Sequence, residues 1–508
     1  MAVSPLYVIC IGAATYLVYR RFKQNKNGLL PPGPKGIPIV GNVADMPTEK
    51  DWLTYAEWGR KYGGICSVTL LGQPMMIVNS AEIMEELDRK GSIYSDRPRL
   101  EMGGELVGYS ETLVLIPYGA RFRTYRKHFA RMIGGISNVE KLHGMLEGKV
   151  RQFLRHILAT PDNLLPHLRT LTGGIILQLT YGIEVQENKD PFVELIENAN
   201  ANFNAATIPG AFVVDFFPSL RDLPEWLPGM GFMETARKWL KDTVDMVEIP
   251  YAYTKQQMAA GNAPPSFVST LLEHEDSLSP EDIRDIKYTA SSLYGGGADT
   301  TVSAEYAFFL AMVLNPDIQK KAQEEIDAVI GRNRLPTLAD RSQLPYVNAI
   351  VMEVLRWNSV APTGVPHRAI QDGVVGGFFI PKGSLIVVNL WNMLHDPTIY
   401  PEPFSFRPER HIPSADGTTP AQRDPRTICF GFGRRVCPGM FLAEASLFLT
   451  VASSLALFSI SKAVENGVEI TPVHENTSGT ISYPKPFKCA IKPRSSQTLS
   501  LLAEEATH

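Results

Sequence analysis

Along most of this chain, apolar residues return every three or four positions, the interval that lines one face of a helix. Runs of this kind cover Val139 to Leu158, Asp190 to Asn204, Met233 to Met258, Asp282 to Leu314 and Pro316 to Ile330. Strand-like runs are shorter and fewer: Ile65 to Leu71 with Met75 to Val78, then Phe378 to Ile380 and Leu385 to Asn389. Prolines break the pattern in DPTIYPEPFSFRPER, Asp396 to Arg410, and predict an ordered meander there. A last apolar helical run opens at Gly439. The pattern predicts a mainly α protein with small β-sheets.

The N-terminus departs from this pattern. Ala2 to Tyr19 carries no charge, and Arg20, Arg21, Lys23 and Lys26 follow at once. A helix of that length spans ~27 Å, close to the hydrocarbon thickness of a bilayer. A signal peptide carries its positive charges ahead of the apolar run; a buried core helix is the remaining alternative. Residues 1–24 are expected to be a single membrane anchor, and the basic flank puts the rest of the chain in the cytosol. The sequon Asn476-Thr477-Ser478 would then stay unmodified. LLPPGPKGIPIVGN, Leu29 to Asn42, cannot continue a helix. Residues 25–42 are expected to form a stiff, extended hinge between anchor and domain.

Composition is ordinary for a globular protein, with 44% hydrophobic and 20% charged residues among 508. A net charge of −4 gives no electrostatic case for a nucleic-acid partner. The cysteines, Cys10, Cys66, Cys429, Cys437 and Cys489, are few, odd in number and spread out, which argues against a disulfide framework.

Candidate chemistry concentrates in four places. FGFGRRVCPGM, Phe430 to Met440, fixes Phe430, Gly433, Arg435, Cys437 and Gly439 at set spacings. With Pro438 as a sixth fixed position, chance supplies such a pattern roughly once in ten million starts or less. A cysteine just ahead of a helix start sits in positive potential, which favours its thiolate, and the chemistry suits a thiolate on haem iron. Gly433 and Gly439 let backbone approach a flat macrocycle; Arg435 suits a propionate. Cys429 reads as a packing residue. In YTASSLYGGGADTTVSAEYAFFLAMVL, Gly295, Gly296 and Gly297 interrupt a helix at a cost of about 1 kcal/mol each, and an opening of the helix beside a cofactor is the expected reason. Asp299 and Thr300 follow, an acid beside an alcohol, suited to relaying protons. Glu353 and Arg356 share one helix face in apolar surroundings, and Arg410 in FRPERH is expected to complete a buried triad with them. In PYGARFRTYRKHF, Arg126 is the candidate propionate partner, and His367 in GVPHRA is a second.

Together these residues resemble the cytochrome P-450 superfamily of haem-thiolate monooxygenases, over essentially the whole chain and in the family order. The resemblance implies one large domain, 43–508, mainly α with small β-sheets. It implies haem b with Cys437 as axial ligand, oxygen activation assisted by Asp299 and Thr300, and structural roles for Glu353, Arg356 and Arg410. Phe122 stands where the family pattern has tryptophan, so no indole N–H is available to a propionate. YSDRPRL, Tyr94 to Leu100, and MGGELVGYSETLVLIPYGARFRTYRK, Met102 to Lys127, are similar to fungal members of secondary metabolism, among them the O-methylsterigmatocystin oxidoreductase group. Such members sit in the endoplasmic-reticulum membrane, with the catalytic domain cytosolic, and draw electrons from an NADPH–cytochrome reductase. The implied reaction inserts one oxygen atom from O2 into a lipophilic small molecule, as hydroxylation or epoxidation. Met102–Tyr109, Asn202–Phe217, Tyr294–Gly297 and Val360–Val365 are the expected pocket segments. A haem-thiolate isomerase or dehydratase and a non-enzymatic haem-binding sensor are the competing readings. The Asp299-Thr300 pair argues against the isomerase; consumption of NADPH and O2 distinguishes the sensor.

Overall fold

The computed structural model describes residues 28–186, 189–208, 210–414, 416–496 and 501–502. The expected anchor, 1–24, lies outside the described residues. In chain order the main elements are α1 (Asp51–Tyr62), β1 (Ile65–Leu70), β2 (Gln73–Val78), α2 (Ala120–Ile133), α3 (His143–Ala159), α4 (Leu164–Tyr181), α5 (Pro191–Ala206), α6 (Phe232–Ala259), α7 (Pro280–Leu314), α8 (Pro316–Val329) and α9 (Pro345–Trp357). There follow β3 (His367–Arg368), β4 (Gly373–Val375), β5 (Phe378–Ile380), β6 (Leu385–Val388), α10 (Met440–Leu457), β7 (Phe458–Glu465), β8 (Val468–Ile470) and β9 (Cys489–Pro493).

Helix ends follow from local chemistry. Ser279 and Asp282 cap α7 reciprocally, with Pro280 in its first turn, which satisfies donors that a helix start leaves free. The Asp190 carboxylate accepts from Phe192 N and Val193 N at the start of α5, where Pro191 is also in the first turn. α7 runs unbroken for 35 residues, so Gly295–Gly297 do not interrupt it as expected. A Cβ on Gly297 would stand 2.5 Å from Ile176 Cδ1. A side chain there would force Ile176 to move, so the glycine lets α7 pack closely on α4. α7 also packs on α2, α5, α6, α9 and α10, which makes it the axis of the core. α10 is the one described helix long and apolar enough to cross a membrane, with mean hydropathy 1.7, and 78% of it is buried inside the protein. A helix apolar all round is a core helix when its neighbours cover it.

Three small sheets flank the helices, ordered β1-β2-β6-β3, β4-β5 and β8-β7-β9. Leu71 and Gly72 join β1 to β2 with φ of 49° and 87°, the backbone that a tight hairpin turn demands. β2 then pairs in parallel with β6, from Met75 with Leu385 to Val78 with Val388. The described part of the expected hinge, 28–42, is bonded to these sheets. Ser67 donates to Pro31 O and Pro32 O at 2.6 and 2.9 Å, and Phe379 N donates to Leu29 O at 2.8 Å. Gly33 is needed there, because its Cβ would meet Ser67 O at 1.8 Å.

Candidate active site

A cavity of about 400 Å³ lies between α7 and the loop that leads into α10. On the α7 side it is lined by Gly295–Gly297, Asp299, Thr300, Thr301 and Ala304, and on the loop side by Phe430, Gly431, Cys437 and Gly439. Cys437 N donates to Phe430 O at 2.9 Å, which folds the loop back on itself. Burial pushes the Cys437 thiol up, while the Gly439 N–H and the Arg126 charge act in the opposite sense. A Cβ on Gly439 would sit 3.9 Å from Cys437 Sγ, in the space beside the sulfur. Gly433 does not line the cavity. Its φ of +63° is the reason for glycine there, and Gly431, which the sequence reading passed over, lines the wall instead.

Three guanidiniums reach the same cavity: Arg97, Arg126 and Arg435. Each is bonded to main-chain carbonyls. Arg97 donates to Val114 O, Val365 O and Pro366 O at 2.6–2.9 Å. Arg126 donates to Val436 O at 2.7 Å. Arg435 donates to Ser95 O, Leu113 O and Ile116 O at 2.7–3.1 Å, and its guanidinium lies 4.0 Å from the Phe122 ring centre. Phe122 thus offers a π face to a cation where an indole would offer a donor. Burial pushes Arg97 well below its ordinary value, with the Arg435 charge acting the same way, and pushes Arg435 down to about 10, while the Asp96 charge opposes both shifts. Three cations, Arg97 buried and Arg126 and Arg435 half-buried, without a carboxylate bonded to them suit a dianion. Arg97 was missed by the sequence reading; its only signal was its place between Asp96 and Pro98 in YSDRPRL.

His367 also lines the cavity, stacked on Phe432 at 4.7 Å. Its Nδ1 lies 2.7 Å from Tyr94 O, so Nδ1 carries the proton. Burial, with Arg97 and Arg435 nearby, holds the ring neutral. Nε2 is then an acceptor and offers a propionate no donor.

Thr300 Oγ1 donates to Gly296 O at 2.8 Å. Burial raises the Asp299 carboxyl, opposed by the Tyr483 hydroxyl and by Arg169. Tyr483 OH donates to both Asp299 Oδ1 and Asp299 O. Of the expected pocket segments, Val360–Val365 contributes most of its residues and Gly295–Gly297 all three. Met102–Tyr109 contributes Tyr109 and Asn202–Phe217 contributes Phe203, while Met102 and Val107 are packed in the core and Val213 and Phe217 are exposed. Thr112–Val114 and Thr480–Ile481 line the wall unforeseen.

Beside the loop, Arg356 forks onto Glu353 with two bonds of 2.8 Å, both side chains fully buried. Arg410 Nε and His411 Nε2 reach the same carboxylate at 3.1 and 2.9 Å. Burial raises this carboxyl, but its four partners, Arg407 N included, outweigh that and hold it at about 2. Arg356 also donates to Leu394 O, Pro403 O and Ser405 O, which pins the meander. His411 follows Arg410 directly, and no local pattern marked it.

Glu305, one turn beyond Thr301 on α7, has hydroxyls for partners instead of cations: Thr450 at 2.8 Å and Thr172 at 3.2 Å. Burial pushes it up from 4.5 to about 8. A raised acid binds its proton more tightly folded than unfolded, so its folding cost is absent below about pH 4.5 and complete above about pH 8. Stability should fall across that window with a slope up to ~1.4 kcal/mol per pH unit from this group. Denaturation midpoints measured from pH 5 to 8 should fall less steeply in Glu305→Gln.

A mainly α domain with small sheets, whose central helix faces Cys437 across an apolar cavity lined by three arginines, is the architecture of a haem-thiolate protein. Residues 31–490 match the family model for cytochrome P-450, and the chain belongs to that family. It is 51% identical to cytochrome P-450 monooxygenase 208 of Postia placenta, over 97% of this chain and 96% of that protein. It is 47% identical to cytochrome P-450 monooxygenase claR of Ampulloclitocybe clavipes, over 97% and 92%. It is 41% identical to cytochrome P-450 monooxygenase ppsD of Aspergillus oryzae, over 99% and 96%. The chain is thus a haem b monooxygenase, an oxidoreductase that uses O2, a small-molecule substrate and a redox partner.

Proposed function

We propose that Cys437 is the axial thiolate, that Arg97, Arg126 and Arg435 hold the haem propionates, and that Asp299 and Thr300 relay protons to the cavity. The single observation that carries this reading is the meeting of Cys437, in the loop that leads into α10, with three guanidiniums that form no ion pair among the described residues, in one apolar cavity. Haem b, when bound, supplies the iron chemistry that inserts one atom of O2 into a C–H or C=C bond. The Gly439 N–H at the sulfur tunes how much charge Cys437 gives up. Phe203, Val360, Val365 and Ile481 exclude water and favour a lipophilic substrate. Thr300 rests on Gly296 O and must turn its hydroxyl to serve the cavity, with Asp299 as its neighbour and source of protons.

The basic flank after Tyr19 supports a single-pass anchor at 1–24 in the endoplasmic-reticulum membrane with a cytosolic domain. An NADPH–cytochrome reductase is then the electron donor, and the fungal relatives favour a role in secondary-metabolite biosynthesis. Thr300→Ala tests the proton relay, which is worth about 10²–10⁴-fold in rate. The variant should load haem and consume NADPH, but form more hydrogen peroxide and less product per NADPH. Unchanged coupling removes Thr300 from the mechanism.

A further inference from the structure

The Asp299 carboxyl is held by a residue from a distant part of the chain. Tyr483 belongs to the loop after Asn476, and almost every residue of that loop is bonded in place. Ser482 N donates to Val360 O at 2.8 Å, and Thr477 N donates to Tyr483 O at 2.8 Å. Ser303 Oγ, on α7, donates to Ser482 O at 2.6 Å. Ile481 N donates to Asn204 Oδ1 at 2.9 Å, and Tyr483 N donates to Thr477 Oγ1 at 3.0 Å. The loop is therefore braced against α5, α7 and the segment after α9 before the Tyr483 hydroxyl is counted. That hydroxyl is spent wholly on Asp299, on its carboxylate and its carbonyl.

We propose that Tyr483 is a positioning residue for the proton relay: its hydroxyl fixes the rotamer and proton affinity of Asp299 and so governs when that acid can serve Thr300. This rests on the reading of Asp299 and Thr300 as the relay. A donor hydrogen bond favours the ionised carboxylate, so Tyr483 counters the effect of burial on Asp299. The other charged groups near this carboxyl are Arg169 on α4 and Glu197 on α5, which bond each other at 3.3 Å. Both are about a third exposed. Tyr483 is thus the direct side-chain partner of the acid, and the ion pair is a solvent-facing neighbour. Thr480 and Ile481 of the same loop line the cavity. One short segment therefore touches both the space for the substrate and the acid that serves it.

Tyr483→Phe removes one oxygen and none of the bonds that brace the loop. The test uses haem-loaded full-length protein: wild type, Tyr483→Phe, Asp299→Asn and the double variant. The first readout is the infrared carboxylic C=O stretch that Asp299→Asn abolishes, followed against pH. Loss of the donor should move its titration up by about one pH unit; an unmoved titration overturns the proposal. The second readout is NADPH oxidation with reductase, in H2O and in D2O. Tyr483→Phe should slow it by roughly tenfold, within the contribution of about 10²–10⁴-fold from acid–base help, and should enlarge the solvent isotope effect. In the Asp299→Asn background the same substitution should do nothing further. Additive losses, or loss of haem from Tyr483→Phe, would make the hydroxyl a structural group and overturn the proposal. If Asp299→Asn leaves rate and isotope effect unchanged, the relay reading fails, while the infrared titration still decides whether Tyr483 sets the acid.

Discussion

In Cys437→Ser, reduced protein treated with carbon monoxide is expected to lose the red-shifted Soret band of thiolate-ligated haem. Serine is nearly the size of cysteine, so the loop fold held by Cys437 N on Phe430 O survives the change. What is lost is the donor. A thiolate pushes electron density onto iron, and a serine hydroxyl stays protonated at neutral pH and gives far less. Arg126 and the Gly439 N–H act on the sulfur in wild type, and neither can ionise an alcohol. NADPH-driven oxidation should vanish with the band. Cys429 is the control: it also lines the cavity, but burial holds its thiol well above the ordinary value, so Cys429→Ser should keep the band. A normal band in Cys437→Ser would place the ligand elsewhere.

Arg356→Ala should yield little or no haem-loaded protein, read as the ratio of haem to polypeptide after purification. Removing one partner of a buried pair costs ~3–5 kcal/mol, a large share of the stability of a typical domain. Glu353 keeps Arg410 and His411, but the carbonyls of Leu394 and Pro403 lose the guanidinium they share. Arg356→Lys should fail nearly as badly, because an ammonium cannot fork onto the carboxylate and reach the meander together. The same carboxylate sets a limit in acid. Its folded value lies near 2 against an ordinary 4.5. Its contribution is complete above about pH 4.5 and is lost as pH falls toward about 2. Full haem loading of Arg356→Ala would make the network peripheral.

Much of this was legible in the sequence where one element carries its own signal. The run from Asp282 to Leu314 became α7, and the apolar stretch after Gly439 became α10, because a long stripe or an all-apolar run leaves few alternatives. α4 was missed for the opposite reason. It is buried on several faces, packed on α3 and α7, so its apolar residues have no single period. β3, β4 and β8 are two or three residues long and lack the aromatic and β-branched run FFI that marked the equally short β5. At the site, Cys437, Glu353, Arg356 and Arg410 sit in spacings that a reader can recognise. Arg97, His411 and Tyr483 do not: each matters only because folding brings it to a group far away in the chain, as Tyr483 comes to Asp299 across 184 residues. Gly297 was legible as special, but its second reason was not: besides lining the cavity it meets Ile176 of α4, where a Cβ would stand.

The pairing of β2 with β6 has a consequence for the birth of the protein. Gln73 bonds Gly383, 310 residues later, and translation at ~5–20 residues per second leaves the hairpin without that neighbour for roughly 15–60 s. During that time Met76, Ile77 and Val78, all buried in the finished fold, lie on an open edge that can template association with another chain. The meander and the cysteine loop emerge later still. Haem therefore meets a nearly finished polypeptide, and until β6 emerges the early hairpin is the kind of edge that chaperones shield.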